Sequence, residues 1–392
     1  MKMEFSAILA VLVTFLITFH LVLSWWRQHR QYRSLPPGPT PLPFLGTPKY
    51  INQLTADTNY ALLSQKYGSM FTIWKLTEPV VVLCGYEVVK DALLNHAEEF
   101  SARPFIPTLH IPSEGYGKPF NPLEIVACAV GNIMSSVLFG EHFDYKDPKL
   151  HELMASTSRH IRNSLCPSHM EEHEEDPDFC DLSLLNVLVG LLAAGSETTA
   201  STLKFCLAFM AHYPDVQMKV QHEIDDLLQS QRLPGIEDRL QLPYTNAVIH
   251  EIQRVLDLAP TALFHAVTKD IQFRGYTLPK GTIITPFLTS VLNDPLQWET
   301  PEQFNPGHFL DEEGQFRKRA AFMPFSAGKR VCPGENLARM ELFLLFSAVL
   351  QKFTIKLPPG AEPQGPKWLH DNKNIVIASA QLRAVPRASP TM

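Results

Sequence analysis

The most hydrophobic stretch of the chain comes first. Residues 5 to 26, FSAILAVLVTFLITFHLVLSWW, are apolar except for a few hydroxyls and His20. As a helix they would reach about 33 Å, enough to cross a bilayer. Trp25 and Trp26 suit the interfacial belt, and Arg27, Arg30 and Arg33 follow at once. The bias of basic residues toward the cytosol keeps these arginines there and puts the short N-terminus on the other face. A cleaved signal peptide is the rival reading. The length of the apolar run, its basic C-terminal flank and the lack of a small-residue cleavage site favour a retained transmembrane anchor over 1–26. Residues 27–46 then form a basic, proline-rich hinge. Its LPPGPTPLPFLG carries five prolines in twelve residues, which makes a stiff extended spacer rather than a helix or a central strand.

Beyond residue 47 the apolar positions switch between two periods. TADTNYALLSQKYG (55–68) has a polar start and Gly68 at its end, which predicts a helix. MFTIWKLTEPVVVLCG (70–85) alternates on either side of Thr77-Glu78-Pro79 and predicts a β-hairpin. YEVVKDALLNHAEEF and residues 122–139 return to helical spacing. From Asp181 to Pro214 the pattern predicts one helix of about 30 residues, apolar nearly all round and therefore expected to run through a core. Glu197 and Lys204 spoil it as a membrane span. DVQMKVQHEIDDLLQ and YTNAVIHEIQRVLDL read as amphipathic helices and IQFRGYTLPKGTIITPF as short strands. Irregular chain over 295–325 leads to a last helix opened by Cys332, with Pro333 at its first position. The class is mostly α with a minor β part.

Composition narrows the function. With 45% hydrophobic and 19% charged residues, the 392-residue chain can bury a large core. A net charge of −6 argues against a nucleic-acid partner. The six cysteines are too scattered for a disulfide framework and fit a reducing compartment. Cys166, His169, His173 and Cys180 imitate a zinc site, but six acids and two prolines lie among them where compact knuckles would be needed. A solvated loop is the preferred reading there.

Three motifs carry chemistry. Phe325, Gly328, Arg330, Cys332 and Gly334 fill F-x-x-G-x-R-x-C-x-G, which chance would fill in about one chain of this length in ten thousand. AGSETT (194–199) puts Glu197 beside Thr198 inside the long apolar helix, where a buried acid–alcohol pair needs partners. In EIQR, Glu251 and Arg254 stand at i, i+3 on one helix face. On its own that pair reads as a surface ion pair.

Together these motifs resemble the cytochromes P450. PYTNAVIHEIQR, FRGYTLPKGT, WETPEQFNPGHFLDEEG and AFMPFSAGKRVC are similar to the vertebrate microsomal family 2. The resemblance implies a cytochrome P450 fold, here incomplete, over 47–392 behind the N-terminal anchor. It implies haem b with Cys332 as axial thiolate, glycines that let the backbone approach the porphyrin, and Glu197 and Thr198 as the proton-delivery pair. It places Arg330, His265 and Arg103 on the haem propionates, and makes Glu251, Arg254 and His308 the brace beneath the haem loop. Leu192, Ala193, Ala262 and Leu263 would face the substrate. The implied reaction inserts one atom of O2 into a lipophilic xenobiotic, fatty acid or steroid-like molecule. Electrons would come from NADPH through NADPH-cytochrome P450 reductase, with cytochrome b5 as a second partner, at the endoplasmic reticulum membrane.

Family-2 chains are longer by roughly a fifth. The W-x-x-x-R helix is missing after FSARPFIPTLH, and the roof helices of the substrate pocket are missing between HELMASTSRHIRNS and CPSH. The rival from another class is therefore a catalytically impaired short isoform that only binds haem or competes for partners.

Overall fold

The computed structural model describes residues 34–42, 45–48, 56–75, 78–102, 122–140, 143–144, 147–150, 152, 181–229 and 232–387. The expected anchor, the start of the hinge, Arg103 and the Cys166–Cys180 segment lie outside them. Among the described residues no helix is long and apolar enough to cross a membrane. The chain divides into two compact units. The first comprises Met1–Pro104, Pro260–Val291 and Ala327–Arg330; the second comprises Phe105–Ala259, Leu292–Ser326 and Val331–Met392.

The first unit holds the sheet. Helix α1 (Ala56–Tyr67) ends at Gly68, whose φ of 92° is open to glycine at little cost. Strands β1 (Met70–Lys75) and β2 (Glu78–Cys84) form the antiparallel hairpin that the alternation predicts. Helix α2 (Tyr86–Lys90) runs on into a π-helical turn, Asp91–Asn95, where the spacing alone predicted uninterrupted helix. Strands β3 (His265–Ala266), β4 (Ile271–Phe273), β5 (Tyr276–Leu278) and β6 (Ile283–Phe287) follow. The main sheet has the order β1-β2-β6-β3, with β2 and β6 parallel. Because β2 is paired on both sides, its Val80–Leu83 run is buried without alternation. Tyr60, Leu63, Phe71, Ile73 and Phe287 complete that core.

The second unit is helical. It contains α3 (Pro122–Phe139), α4 (Asp181–His212), α5 (Pro214–Leu228), α6 (Pro243–Leu256) and α7 (Glu335–Lys352), followed by β7 (Phe353–Lys356). Pro214 ends α4 because it has no N–H to donate, and for the same reason it is at home in the first turn of α5. Phe205, Phe209, Ile224, Ile252, Phe343 and Phe346 meet in one core drawn from α4 to α7. Helix α6 carries amphipathic spacing, yet every residue from Thr245 to Leu256 is buried. Thr245, Asn246, His250, Glu251 and Arg254 have partners inside.

Two expectations about the C-terminal helix are corrected. Helix α7 begins at Glu335 with Gly334 before it, so Cys332 and Pro333 precede the helix. The Cys332 N–H donates to the Phe325 carbonyl at 3.0 Å and closes a loop, while its own carbonyl accepts the Glu335 N–H at 3.4 Å in the turn that leads into α7. Nor is α7 last: α8 (Pro366–Asp371), α9 (Lys373–Ser379) and β8 (Arg383–Pro386) follow, with β8 antiparallel to β7.

Candidate functional site

In the second unit Cys332 stands apart from the other described cysteines. It is exposed, whereas Cys84, Cys128 and Cys206 are buried. Burial pushes the Cys84 thiol up to about 12 and the Cys206 thiol up as well, so neither offers a thiolate. At Gly334 a Cβ would find nothing nearer than Cys332 Sγ at 3.9 Å, so one flank of the sulfur is open space. No group of three potential metal ligands exists among the described residues.

The Glu251–Arg254 pair is not on the surface. Both side chains are 0% exposed. Arg254 Nε and Nη2 donate to the two Glu251 oxygens at 2.8 Å each. Its remaining N–H groups reach the carbonyls of Leu292 (3.0 Å), Pro301 (2.8 Å) and Gln303 (2.8 Å). Glu251 also accepts the Asn305 N–H at 2.8 Å, and His308 Nδ1 lies 3.2 Å from it. The pair thus ties α6 to the irregular 292–308 segment, with every donor of the guanidinium used. Removing one partner from such a buried pair costs about 3–5 kcal/mol.

On α4, Glu197 and Thr198 face outward from the described core. Thr198 Oγ1 donates to the Ala194 carbonyl at 2.7 Å, and Thr202 Oγ1 donates to that of Thr198 at 2.8 Å. The Thr198 hydroxyl hydrogen is therefore occupied and its oxygen remains an acceptor. Helix α4 comes close to α3 at Gly195, where a Cβ would lie 2.6 Å from Cε of the flexible Met134 side chain. Leu192 and Ala193 are buried. Thr199 is buried and hydrogen-bonded to Glu341 of α7, a residue that the motifs missed. Burial pushes the Glu341 carboxyl up to about 7, with the Thr199 hydroxyl pulling it partly back. A lone acid inside MELFLLF was the available signal.

In the first unit, three successive carbonyls organise a second cluster. His265 Nδ1 sits 2.7 Å from Phe100 O, Arg330 Nε donates to Ser101 O at 2.6 Å, and the Ala266 N–H donates to Ala102 O at 2.7 Å. A narrow crevice lined by Phe100, Ser101, His265, Lys329 and Arg330 results. The next residue, Arg103, lies outside the described residues. Ala262 is buried and Leu263 is 78% exposed. Gly328 has φ 74°, and a Cβ there would come 1.9 Å from Leu93 O on the π-helical turn. Its smallness serves contact with the protein backbone at Leu93.

The profile described as cytochrome P450 matches residues 36–119 and 155–378. Cytochrome P450 2C20 of Macaca fascicularis is 36% identical over 455 aligned positions, covering 88% of this chain and 93% of that protein. Cytochrome P450 2B19 of Mus musculus is also 36% identical, over 92% of this chain and 95% of its own length. An alignment of 455 positions exceeds the 392 residues present here, so such relatives carry segments without a counterpart in this chain. With the cysteine loop, the buried acid–arginine brace and these likenesses together, the chain belongs to the cytochrome P450 family of haem monooxygenases, and within it to vertebrate family 2.

Proposed function

We propose that the chain inserts one oxygen atom from O2 into a lipophilic small molecule, fed with NADPH electrons by a flavoprotein reductase. It would work at the endoplasmic reticulum membrane, held there by residues 1–26. The observation that carries the reading is Cys332: an exposed sulfur just ahead of α7, with open space where a Gly334 Cβ would stand. That donor chemistry fits an axial haem ligand. A bound haem would supply the oxygen-activating iron, and thiolate ligation favours O–O cleavage.

The residues of the motifs would have separable tasks. Cys332 supplies the sulfur ligand from just ahead of α7. Arg330 and His265, gathered on the Phe100–Ser101 carbonyls, supply a cation and an imidazole for propionates. Glu197, exposed on α4, would bring protons in from solvent. Thr198, its own hydrogen held by Ala194, accepts a hydrogen bond at Oγ1. Leu192, Ala193, Ala262 and Leu263 supply apolar surface for the substrate.

The reduced, carbon-monoxide-bound absorbance spectrum tests the reading. The wild-type chain should show the strongly red-shifted band of a thiolate haem, and Cys332→Ala should lose it. An unchanged spectrum in the variant would remove Cys332 as ligand. Topology is tested separately with engineered glycosylation sites: one at the N-terminus should be modified and one after residue 46 should not.

A further inference from the structure

His250 directly precedes Glu251 on α6 but serves a different set of partners. It is buried, with Nδ1 2.7 Å from the Asn246 carbonyl one turn back and Nε2 2.6 Å from Arg339 Nη1 on α7. An arginine always carries its protons, so Arg339 donates and Nε2 accepts, and the imidazole hydrogen sits on Nδ1. Only a neutral imidazole can do both. Burial and the neighbouring Arg339 charge pull His250 down to about 3, which keeps it neutral.

The Arg339 guanidinium has further partners on α7 and in the loop stem. Its Nε and Nη2 lie 2.9 Å and 2.8 Å from Glu335 Oε1 in the first turn of α7. Its central carbon lies 5.3 Å from the Phe322 ring centroid and 5.1 Å from that of Phe325. Phe325 is the residue whose carbonyl closes the cysteine loop on the Cys332 N–H. One planar cation thus touches α6, the start of α7 and the stem of the loop. A lysine could not reproduce this, having neither the plane to stack on two rings nor donors directed to two acceptors in that plane. The Glu335 contact alone would be an ordinary i, i+4 pair. The histidine acceptor and the two rings distinguish it.

We propose that Arg339, seated on His250, is the positioning residue of the cysteine loop: it holds the stem at Phe325 and so sets where Cys332 Sγ points. The proposal rests on Cys332 being the haem ligand, and the test separates the two claims.

Amide hydrogen exchange on the full chain reads the loop directly, whether or not haem is loaded. Arg339→Ala should speed exchange of the Cys332 N–H at least tenfold while the helix-core amides of Ile252 and Phe346 keep their rates. His250→Phe should act like Arg339→Ala. His250→Gln, which retains an acceptor for Arg339, should restore slow exchange, and Arg339→Lys should fall between. In haem-loaded protein, the same ranking should appear as a several-fold loss of the thiolate-type carbon-monoxide band in favour of the unligated form. Unchanged exchange at Cys332 in Arg339→Ala would overturn the proposal. So would equal acceleration at Ile252 and Phe346, which is general loosening, or His250→Gln proving as damaging as His250→Phe. If the exchange ranking holds but the wild-type spectrum lacks the thiolate band, the ligand assignment fails and the clamp on the loop stands.

Discussion

The two halves of α4 are built from similar residues and meet different surroundings. From Ala200 to Ala211 every residue is buried, and Phe205, Phe209 and Met210 have no exposed surface. About two and a half to three and a half turns earlier, Leu191 is 41% and Val187 57% exposed, although Leu192 and Ala193 are buried. The second half is surrounded by α5, α6, α7 and α9; the first is packed on α3 through Gly195 and Met134. Even a cation is taken in by the second half. Lys204 is buried, donates to the Ile377 carbonyl of α9, and its amine is pulled down to about 8 by burial. An apolar surface therefore says that a helix can be enclosed, and its neighbours decide where it is. The Glu197–Thr198 pair falls at the border, where α4 passes from the open environment to the packed one.

The comparison is most strongly tested at Phe209, whose ring lies 5.1 Å from Phe205, 5.3 Å from Tyr213 and 4.9 Å from Phe304. Phe209→Ala should lose about 3–5 kcal/mol in chemical denaturation, since the packed surroundings can only partly collapse into the void. A loss under 1 kcal/mol would mean that this half is not the core.

Glu341, which meets α4 at Thr199, gives the next effect. Its folded-state pKa is raised from 4.5 to about 7, so the fold prefers the protonated acid. The stabilisation is complete below about pH 4.5 and is lost as pH rises through about 7, amounting to at most about 3 kcal/mol. Glu341→Gln should flatten this slope. Unfolding midpoints at pH 5 and pH 8 should differ less in the variant than in the wild type, and parallel slopes would exclude Glu341 as the source.

Leu191→Gln should change stability by no more than about 0.5 kcal/mol, because the exposed half offers little burial to lose. It should also reduce self-association measured by light scattering, as a smaller apolar patch meets water. A cost above 2 kcal/mol would show that this half is covered. Smallest in stability is Thr198→Ala: its hydroxyl bonds only one turn back along its own helix, so the unfolding midpoint should stay unchanged. Product formed per NADPH consumed should nonetheless fall and peroxide release should rise. Intact coupling would take Thr198 out of proton delivery.

Much of this protein is set by interactions between near neighbours along the chain. The ends of α1 and α4, the start of α5 and the β1–β2 hairpin follow from Gly68, Pro214 and alternating strands, because those signals act within a few residues. The cysteine frame likewise pointed to the family from ten consecutive residues. Tertiary structure alone decided what a single face cannot encode. Glu251 and Arg254 read as a surface pair until residues 292–308 closed over them and used every remaining donor. Val82 is registered with Thr285, some two hundred residues away, in a parallel pairing that no local alternation announces. Thr199 with Glu341, and His250 with Arg339, couple helices far apart in sequence. The hydrophobic effect that drives such faces together is non-directional, so periodicity marks a face for burial without naming the side chains that will meet it there.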